Sequence, residues 1–368
     1  MDLAGFLHSA AGLLAVPSTA DRPDQLLRAV NQVVDYVGGG FTVERFMSNG
    51  KPGALLYKTT KRPRFRLILN AHLDVVPAAA EQFVPRYDGN RLYARGAQDM
   101  KVSALVQALV FRELAGAVPY PMALQLVADE EIGGRDGTLH QLEQGVTGDF
   151  VVIGEQSGLD IVADAKGLVH VVLRAIGRGA HGAYPWLGDN ALVGVLATVE
   201  RLLQRYPVPT DEVWRTTLNV ARVATPNSAF NQIPDRAEAW LDLRFPASDR
   251  DLNAPVVDVA AFLRTFAAPG VTVEIEEYDP PHHADHERPE IAALRRAAMH
   301  QGYRGKLIFQ HGAGDGGFFS ARGVDTVEFG VAGAGQHGPQ EHVEVDSIEP
   351  YYRALREFVE CLTNIQGR

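Results

Sequence analysis

The stretch FRLILNAHLD, residues 65–74, joins a short apolar segment to two residues that can bind a metal. Phe65 to Leu69 has the length and composition of a buried strand, and His72 and Asp74 follow it. Because alternate residues of an extended chain point the same way, Asp74 can accept the second N–H of the His72 imidazole. A lone histidine after a strand is usually a polar loop residue, but the His-x-Asp spacing favours a metal ligand.

The composition is typical of a globular protein with more than one domain. The 368 residues are long for one core, and 46% hydrophobic against 22% charged residues gives no sign of disorder. No apolar run approaches a membrane span, and residues 1–18 predict an amphipathic helix, not a signal peptide. With a net charge of −10, we expect neither nucleic-acid nor membrane partners. The one cysteine, Cys361, cannot form an internal disulfide, which favours a cytoplasmic location.

Helices and apolar strands alternate over residues 1–165 and again over residues 279–368. This alternation predicts an α/β domain built on a mainly parallel sheet with helices on both faces. Its predicted strands are 41–46, 55–58, 65–69, 123–127, 150–153, 306–309 and 326–329. Its predicted helices include 24–37, 102–114, 289–299 and 349–362.

Residues 166–278 follow a different order of elements. The predicted strands are 167–176, 216–224, 237–245 and 271–278, and the predicted helices are 190–206 and 249–266. This order, βαββαβ, is the ferredoxin-like pattern and closes on itself. We therefore predict an inserted domain, with both ends of the chain in the α/β domain.

One set of residues can hold two metal ions around a bridging carboxylate: His72, Asp99, Glu131, Glu155 and His337. A two-metal site also needs a nearby free carboxylate to handle protons, and Glu130 is the candidate. Metal-capable groups follow several predicted strands of the α/β domain. An open α/β sheet usually binds its ligand at this edge, so we expect these groups to meet there.

Each candidate ligand also has a structural alternative. Asp99 has the position of an N-cap for the helix that begins near Met100, although a capping residue can also bridge two ions. Glu130 and Glu131 are harder to explain structurally, because adjacent buried carboxylates repel each other without cations. For the other candidate ligands, the evidence from each residue alone is weak, and it becomes persuasive only for the set as a whole.

Seven segments resemble, in order and spacing, the dinuclear-zinc family of succinyl-diaminopimelate desuccinylase, acetylornithine deacetylase, aminoacylase and glutamate carboxypeptidase. The segments are AHLDVVP, YARGAQDMK, ADEEIGG, VVIGEQS, GRGAHGAYPWLGDNA, FNQIPDRAEAWLDLRFP and QHGPQEHVEV. The resemblance implies that Asp99 bridges two divalent ions, one also held by His72 and Glu155, the other by Glu131 and His337. Zinc suits these nitrogen and oxygen ligands, and cobalt and manganese are not excluded.

The resemblance also implies a reaction and roles for other residues. Glu130 is the general base and Asp74 the partner of the first histidine. The inserted domain is a lid that forms a homodimer, and His181 reaches the partner's active site to stabilise an oxyanion. Asn231 and Arg244 resemble groups that hold substrate oxygens. A solvated loop position for His181 and a lid-surface position for Arg244 are the alternatives.

The implied activity is hydrolysis of the amide bond of N-acyl amino acids or small peptides. Carboxypeptidase or dipeptidase activity is the alternative within the family, and an inactive peptide-binding protein is the alternative outside it. The loop 310–314 departs from the family pattern, because Gly312 and its neighbours replace small hydroxyl side chains expected to meet the substrate. His311 is either a specificity residue or a hydrogen-bonded loop histidine, and we favour the second.

Two further patterns have functional interpretations that we do not favour. The glycine spacings of residues 312–317 and 333–338 fit a dinucleotide fingerprint, but neither lies in a βαβ unit with the required acidic residue. His282, His283, Asp285 and His286 form a cluster that can bind metal. Beside two prolines, a solvated loop between domains is the favoured interpretation.

Overall fold

The computed structural model describes residues 1–365 and divides the chain into two compact units. The first unit contains residues 1–164, 283–309 and the chain from Gly314 onward. The second unit contains residues 165–282 together with the short segment 310–313.

Nine α-helices lie within residues 1–365. They are α1 Leu3–Leu14, α2 Pro23–Val37, α3 Lys101–Leu114, α4 His140–Glu143, α5 Ala191–Arg205, α6 Val256–Arg264, α7 Pro289–His300, α8 Gly316–Ser320 and α9 Val345–Cys361. The first four and the last three belong to the first unit, and α5 and α6 to the second.

Seventeen strands complete the described part of the chain. They are β1 Thr42–Ser48, β2 Lys51–Tyr57, β3 Leu67–His72, β4 Arg86–Asp88, β5 Arg91–Tyr93, β6 Met122–Val127, β7 Phe150–Ile153, β8 Ile161–Ala165, β9 Gly167–Ile176, β10 Thr217–Ala224, β11 Arg236–Phe245, β12 Val271–Asp279, β13 His282–His283, β14 Leu307–Gln310, β15 Asp325–Glu328, β16 Gly333–Ala334 and β17 His342–Glu344.

The main sheet has a parallel centre and antiparallel edges. Its spatial order is β1-β2-β6-β3-β7-β15-β8-β13, and β14 also pairs with β8. Strands β6, β3, β7 and β15 are parallel to one another, whereas β2 pairs with β6, and β8 with β15, in the antiparallel sense. The expected α/β fold with a mainly parallel sheet is therefore confirmed.

Burial explains why the central strands carry continuous apolar sequence. Every residue of β3, β6 and β7 is buried, as a sheet covered on both faces requires. Helix α3 is buried over almost its whole circumference, and it packs in the same apolar core as α2 and α9. The strand ends are thereby held rigidly, and the polar residues that follow them have fixed positions.

The second unit has the ferredoxin-like topology expected from the sequence. Its four-stranded antiparallel sheet has the order β10-β11-β9-β12, with α5 and α6 packed against it around a separate apolar core. One predicted helix is too long: residues 249–266 were expected, and α6 covers only Val256–Arg264. Asp249 instead accepts the backbone N–H groups of Asp251 and Leu252, and Pro255 then starts the helix.

Candidate metal centre

The candidate ligands lie at one edge of the main sheet, in the first unit. His72 is the last residue of β3, Glu131 follows β6, Glu155 follows β7, and His337 lies in the chain beyond β15. These four strands are adjacent and parallel, so their carboxyl ends meet at the same edge. The fold thus brings together ligands that are up to 265 residues apart, from His72 to His337.

Asp99 lies between the two candidate histidines. Its Oδ1 is 2.9 Å from His72 Nε2, and its Oδ2 is 3.2 Å from His337 Nε2. The two oxygens of one carboxylate therefore face two different imidazoles, which is the arrangement of a bridging ligand. The alternative role as an N-cap is wrong: the cap position of α3 is Met100, and the Asp99 carboxylate turns to the histidines.

Two groups of side chains offer ligand atoms that lie within 4.8 Å of one another. The first contains His72, Glu130 and Glu155, and the second contains Asp99, Glu131 and His337. In the first group, His72 Nε2 is also 3.1 Å from Glu155 Oε1. In the second, His337 Nε2 is 3.0 Å from Glu131 Oε2.

The charges of these residues test whether cations fit between them. Burial, together with the nearby Asp99 carboxylate, raises the pKa of Glu131 to about 7 and that of Glu155 to about 8. Burial also raises the pKa of Glu130 well above its usual range, against the lowering influence of His72. A site with so many close carboxylates resists ionisation unless cations compensate them. The donor set of imidazole nitrogens and carboxylate oxygens therefore fits two divalent metal ions.

Asp74 connects the first histidine to the acidic turn. Its carboxylate accepts the backbone N–H of Glu130 at 3.2 Å and that of Glu131 at 3.0 Å. His72 Nδ1 lies 3.1 Å from the Asp74 carbonyl oxygen and 3.5 Å from Oδ1. Asp74 thus contacts the imidazole through both its main chain and its carboxylate, and the sequence predicted the second of these contacts. The carboxylate also fixes the position of the turn that carries the candidate base.

A buried ion pair that the sequence did not predict supports the second ligand group. Arg95 pairs with Glu341, and both side chains are buried. Arg95 also donates to the His337 carbonyl oxygen at 2.9 Å, and Glu341 accepts the Asp99 N–H at 3.3 Å. His337 has a positive φ of 60°, which residues other than glycine rarely adopt, so an anchor on its carbonyl group is needed.

Gln336 is a second contact that the sequence did not reveal. Its Nε2 donates to Asp99 Oδ2 at 2.7 Å, beside the His337 contact. Both Gln336 and Glu341 lie in the quoted segment QHGPQEHVEV, but only the histidine of that segment has an obvious metal-binding side chain. The short strand β16 precedes this segment and β17 lies within it. Strand β16 pairs with β17, and β17 pairs with β5, in a small sheet that also went unpredicted.

The other predicted site residues belong to the second unit. His181 is exposed and accepts the Ala183 N–H on its Nδ1 at 3.1 Å. Asn231 is exposed in the loop that pairs with the His181 segment, where its carbonyl oxygen accepts the Gly182 N–H at 2.7 Å. Arg244, in β11, donates to Asp242 Oδ1 at 2.8 Å.

The loop containing Gly312 and His311 also lies in the second unit. Gly312 is exposed, and a side chain added there would meet open space. His311 Nε2 is 3.1 Å from Glu212 Oε1, and its ring stacks edge-on against Trp214. These contacts favour a hydrogen-bonded loop histidine. The glycine fingerprint beginning at Gly312 leads only into the five-residue helix α8, which is not a dinucleotide-binding βαβ unit.

Within residues 1–365, no helix is long and apolar enough to cross a bilayer.

Comparison with known proteins agrees with the fold. The chain is 29% identical to a Mycobacterium tuberculosis protein provisionally named succinyl-diaminopimelate desuccinylase, over 98% of this chain and 99% of that protein. Its fold is similar to that of an aminopeptidase of Bacillus cereus, with a TM-score of 0.78 at 17% identity over 98% of each chain. It is also similar to a metallo-carboxypeptidase of Sulfolobus solfataricus, with a TM-score of 0.77 at 19% identity over 99% of this chain and 100% of that one.

A two-metal donor set at the carboxyl edge of an α/β sheet defines a class of metal-dependent hydrolases. The sequence profile of peptidase family M20/M25/M40 matches residues 68–360, and the chain belongs to this family. It is a metal-dependent hydrolase that acts on amide bonds, and the resemblance found in the sequence is confirmed.

Proposed function

We propose that this protein hydrolyses the amide bond of N-acyl amino acids, with Glu130 as the general base. The observation that carries the proposal is the position of Glu130. Its carboxylate lies within 4.8 Å of ligand atoms of His72 and Glu155, and its backbone is held by Asp74. Glu130 is therefore a partly buried carboxylate beyond those needed to bridge and bind two ions.

Glu130 moves protons in this proposal. When two divalent ions are bound, they acidify water and polarise the amide carbonyl group. Glu130 accepts a proton from the attacking water and passes it to the leaving nitrogen, so that the products are a carboxylate and an amine. The environment of Glu130 suits this exchange, because burial favours its protonated form and neighbouring positive charge favours its ionised form.

Zinc is the proposed metal, and Asp99 would contribute to the binding of both ions. The donors are two imidazoles and three carboxylates, a set that suits zinc and also accepts cobalt or manganese. His72 and Glu155 complete one site, and Glu131 and His337 complete the other. Removing either histidine should weaken the binding of one ion more than that of its neighbour.

The substrate class rests on relatives of full length. Similarity to a desuccinylase over nearly the whole chain supports an N-acyl amino acid. The similar fold of a metallo-carboxypeptidase keeps peptide cleavage, as a carboxypeptidase or dipeptidase, as the second candidate. Substrates with acidic and with neutral acyl groups should both be assayed. The loop 310–314 lacks the hydroxyl groups that the family pattern would supply for contact with the substrate.

We further propose that residues 166–278 form a lid and the interface of a homodimer. His181 would then support the oxyanion in the partner's active site, and Asn231 and Arg244 would hold substrate oxygens. Exposed apolar residues on α5, Val193 and Leu196, are available for such an interface. Cys361 is a free thiol and is consistent with the proposed cytoplasmic location.

A metal-reconstituted substrate screen tests the proposed function. The stripped protein is loaded with zinc, cobalt or manganese and assayed against N-succinyl and N-acetyl amino acids and a set of dipeptides. We expect metal-dependent release of a free amine from the N-acyl substrates. Turnover of dipeptides alone would favour the peptidase alternative. Metal binding without hydrolysis of any substrate would favour an inactive peptide-binding protein.

A further inference from the structure

A third group of metal-capable side chains lies in the first unit, away from the residues already assigned. Asp164 is at the end of the first chain segment of this unit, and His283 and His286 begin the next. His283 Nδ1 is 2.6 Å from Asp164 Oδ1, and His286 Nε2 is 2.6 Å from Asp164 Oδ2. Each oxygen of the carboxylate thus faces a different imidazole, and the three ligand atoms lie within 4.8 Å of one another.

The backbone holds these side chains in place. The Ala284 N–H donates to the Ala163 carbonyl oxygen at 2.9 Å, which sets the turn beside the strand that ends next to Asp164. Ser320 Oγ accepts the His283 N–H at 3.1 Å and donates to the His283 carbonyl oxygen at 3.2 Å. The segment that runs from His283, at the end of β13, to His286 is therefore fixed by contacts that do not involve the histidine rings.

The same segment is held from its other side by Asp285. Its carboxylate accepts the Glu287 N–H at 3.1 Å, and its own N–H donates to Asp325 Oδ1 at 3.1 Å. Asp285 and Asp325 also place negative charge near His283 in addition to that of Asp164. A cation bound between the rings would be stabilised by these carboxylates.

We propose that Asp164, His283 and His286 form a third metal site, for a late first-row divalent ion such as zinc or nickel. Two imidazole nitrogens and one carboxylate oxygen are donors that these ions prefer. Ligand atoms about 2.0 Å from a tetrahedral ion are about 3.3 Å apart. For one oxygen to serve the ion, its 2.6 Å contact with one imidazole would open by about 0.7 Å, and the second imidazole would turn to the same oxygen from within the present 4.8 Å. Because the histidine side chains are about half exposed, water fills the fourth position.

The competing interpretation is an ordinary pair of histidine–carboxylate contacts that share protons. His300 provides the matched comparison, because its Nδ1 lies 2.7 Å from Glu357 Oε1 on an exposed surface without a second histidine. If Asp164, His283 and His286 formed only such contacts, replacing His283 and His286 would change zinc binding no more than replacing His300.

Metal counting on untagged, full-length protein tests the proposal. The protein is stripped with a chelator and dialysed against buffered free zinc, and the bound metal is measured by mass spectrometry. We expect three zinc ions per chain at saturation, the third binding more weakly. The double variant His283→Gln with His286→Gln should bind two, and His300→Gln should still bind three. Equal zinc counts for the wild type and the double variant would overturn the proposal.

A second measurement covers the case in which the double variant does not fold. Asp164→Asn retains both imidazoles and should weaken only the last zinc ion, by at least tenfold. In the wild type, imidazole nitrogen resonances of His283 and His286 should shift as the third equivalent of zinc binds, while those of His300 stay unchanged. An unchanged third binding constant in Asp164→Asn, or no shift at His283 and His286, would refute the site.

Discussion

Arg95→Met tests whether the Arg95–Glu341 ion pair supports the metal centre. The substitution keeps much of the apolar volume of the arginine but removes its charge and its hydrogen bonds. Glu341 then stays buried without a cation, which typically costs about 3–5 kcal/mol. The His337 carbonyl oxygen also loses its donor at 2.9 Å, so the loop that carries this ligand is no longer held.

Two measurements follow from this structure. The free energy of unfolding of the metal-free variant should fall by about 3–5 kcal/mol, as followed by urea titration with far-ultraviolet circular dichroism. Zinc affinity of the second ligand group should fall by about 10–100-fold, the usual effect of losing a group that orients a ligand. Because all three tryptophans lie in the second unit, their fluorescence follows the unfolding of that unit separately.

The pH dependence provides an internal check. Burial raises the pKa of Glu341 even with Arg95 present, so in the variant this carboxyl group should take up a proton more readily. A raised folded-state pKa stabilises the fold at low pH and loses that contribution as the pH rises. The difference in stability between variant and wild type should therefore be larger at pH 8 than at pH 5.

A matched control is available on the surface. Arg86 pairs with Asp88 at 3.8 Å and both side chains are exposed, so Arg86→Met should change stability by less than about 1 kcal/mol. The double variant Arg95→Met with Glu341→Gln should recover part of the loss, because the buried charge is gone. If Arg95→Met unfolds at the wild-type urea concentration and binds zinc as tightly as the wild type, the supporting role of this pair is refuted.

The remaining predictions concern the ligands and their neighbours. In metal-free protein, Glu131 and Glu155 have raised pKa values of about 7 and 8, so the free energy of unfolding should fall between about pH 5 and pH 8. Saturating zinc should abolish this fall. A urea midpoint of the metal-free protein that does not change with pH would contradict the prediction. Asp74→Asn should weaken zinc binding about 10–100-fold in competition with a chelating dye, and wild-type affinity would argue against its positioning role. His181→Ala should be inactive alone and regain activity when mixed with Glu130→Gln subunits; absence of rescue would argue against action across a dimer.

The sequence predicted the strands, and it indicated candidate ligands at their ends, because both signals are local. Short apolar segments mark buried strands, and a metal-capable side chain directly after one is visible without knowing its neighbours. The βαββαβ order of the second unit is equally visible, since its elements follow one another along the chain. His72 and Glu155 are examples of residues whose position needed only the strand before them.

The contacts that the sequence did not reveal join residues far apart in the chain. Arg95 and Glu341 are separated by 246 positions, and Asp164 and His283 by 119. Neither partner suggests the other until the fold is known. The small sheet that includes β16 and β17 was missed because its strands have only two or three residues, too few to show alternation. Asp99 shows the opposite case, in which a local capping pattern gave way to a tertiary contact.

Glu130→Gln is the most direct test of the central claim that Glu130 acts as base beside two bound ions. The variant and the wild type are loaded with zinc, and bound metal and amide hydrolysis are measured on the same samples, with the exposed Glu143→Gln as control. We predict wild-type zinc content, with turnover reduced by about 10²–10⁴-fold in Glu130→Gln alone. Wild-type turnover at full zinc content would contradict the claim.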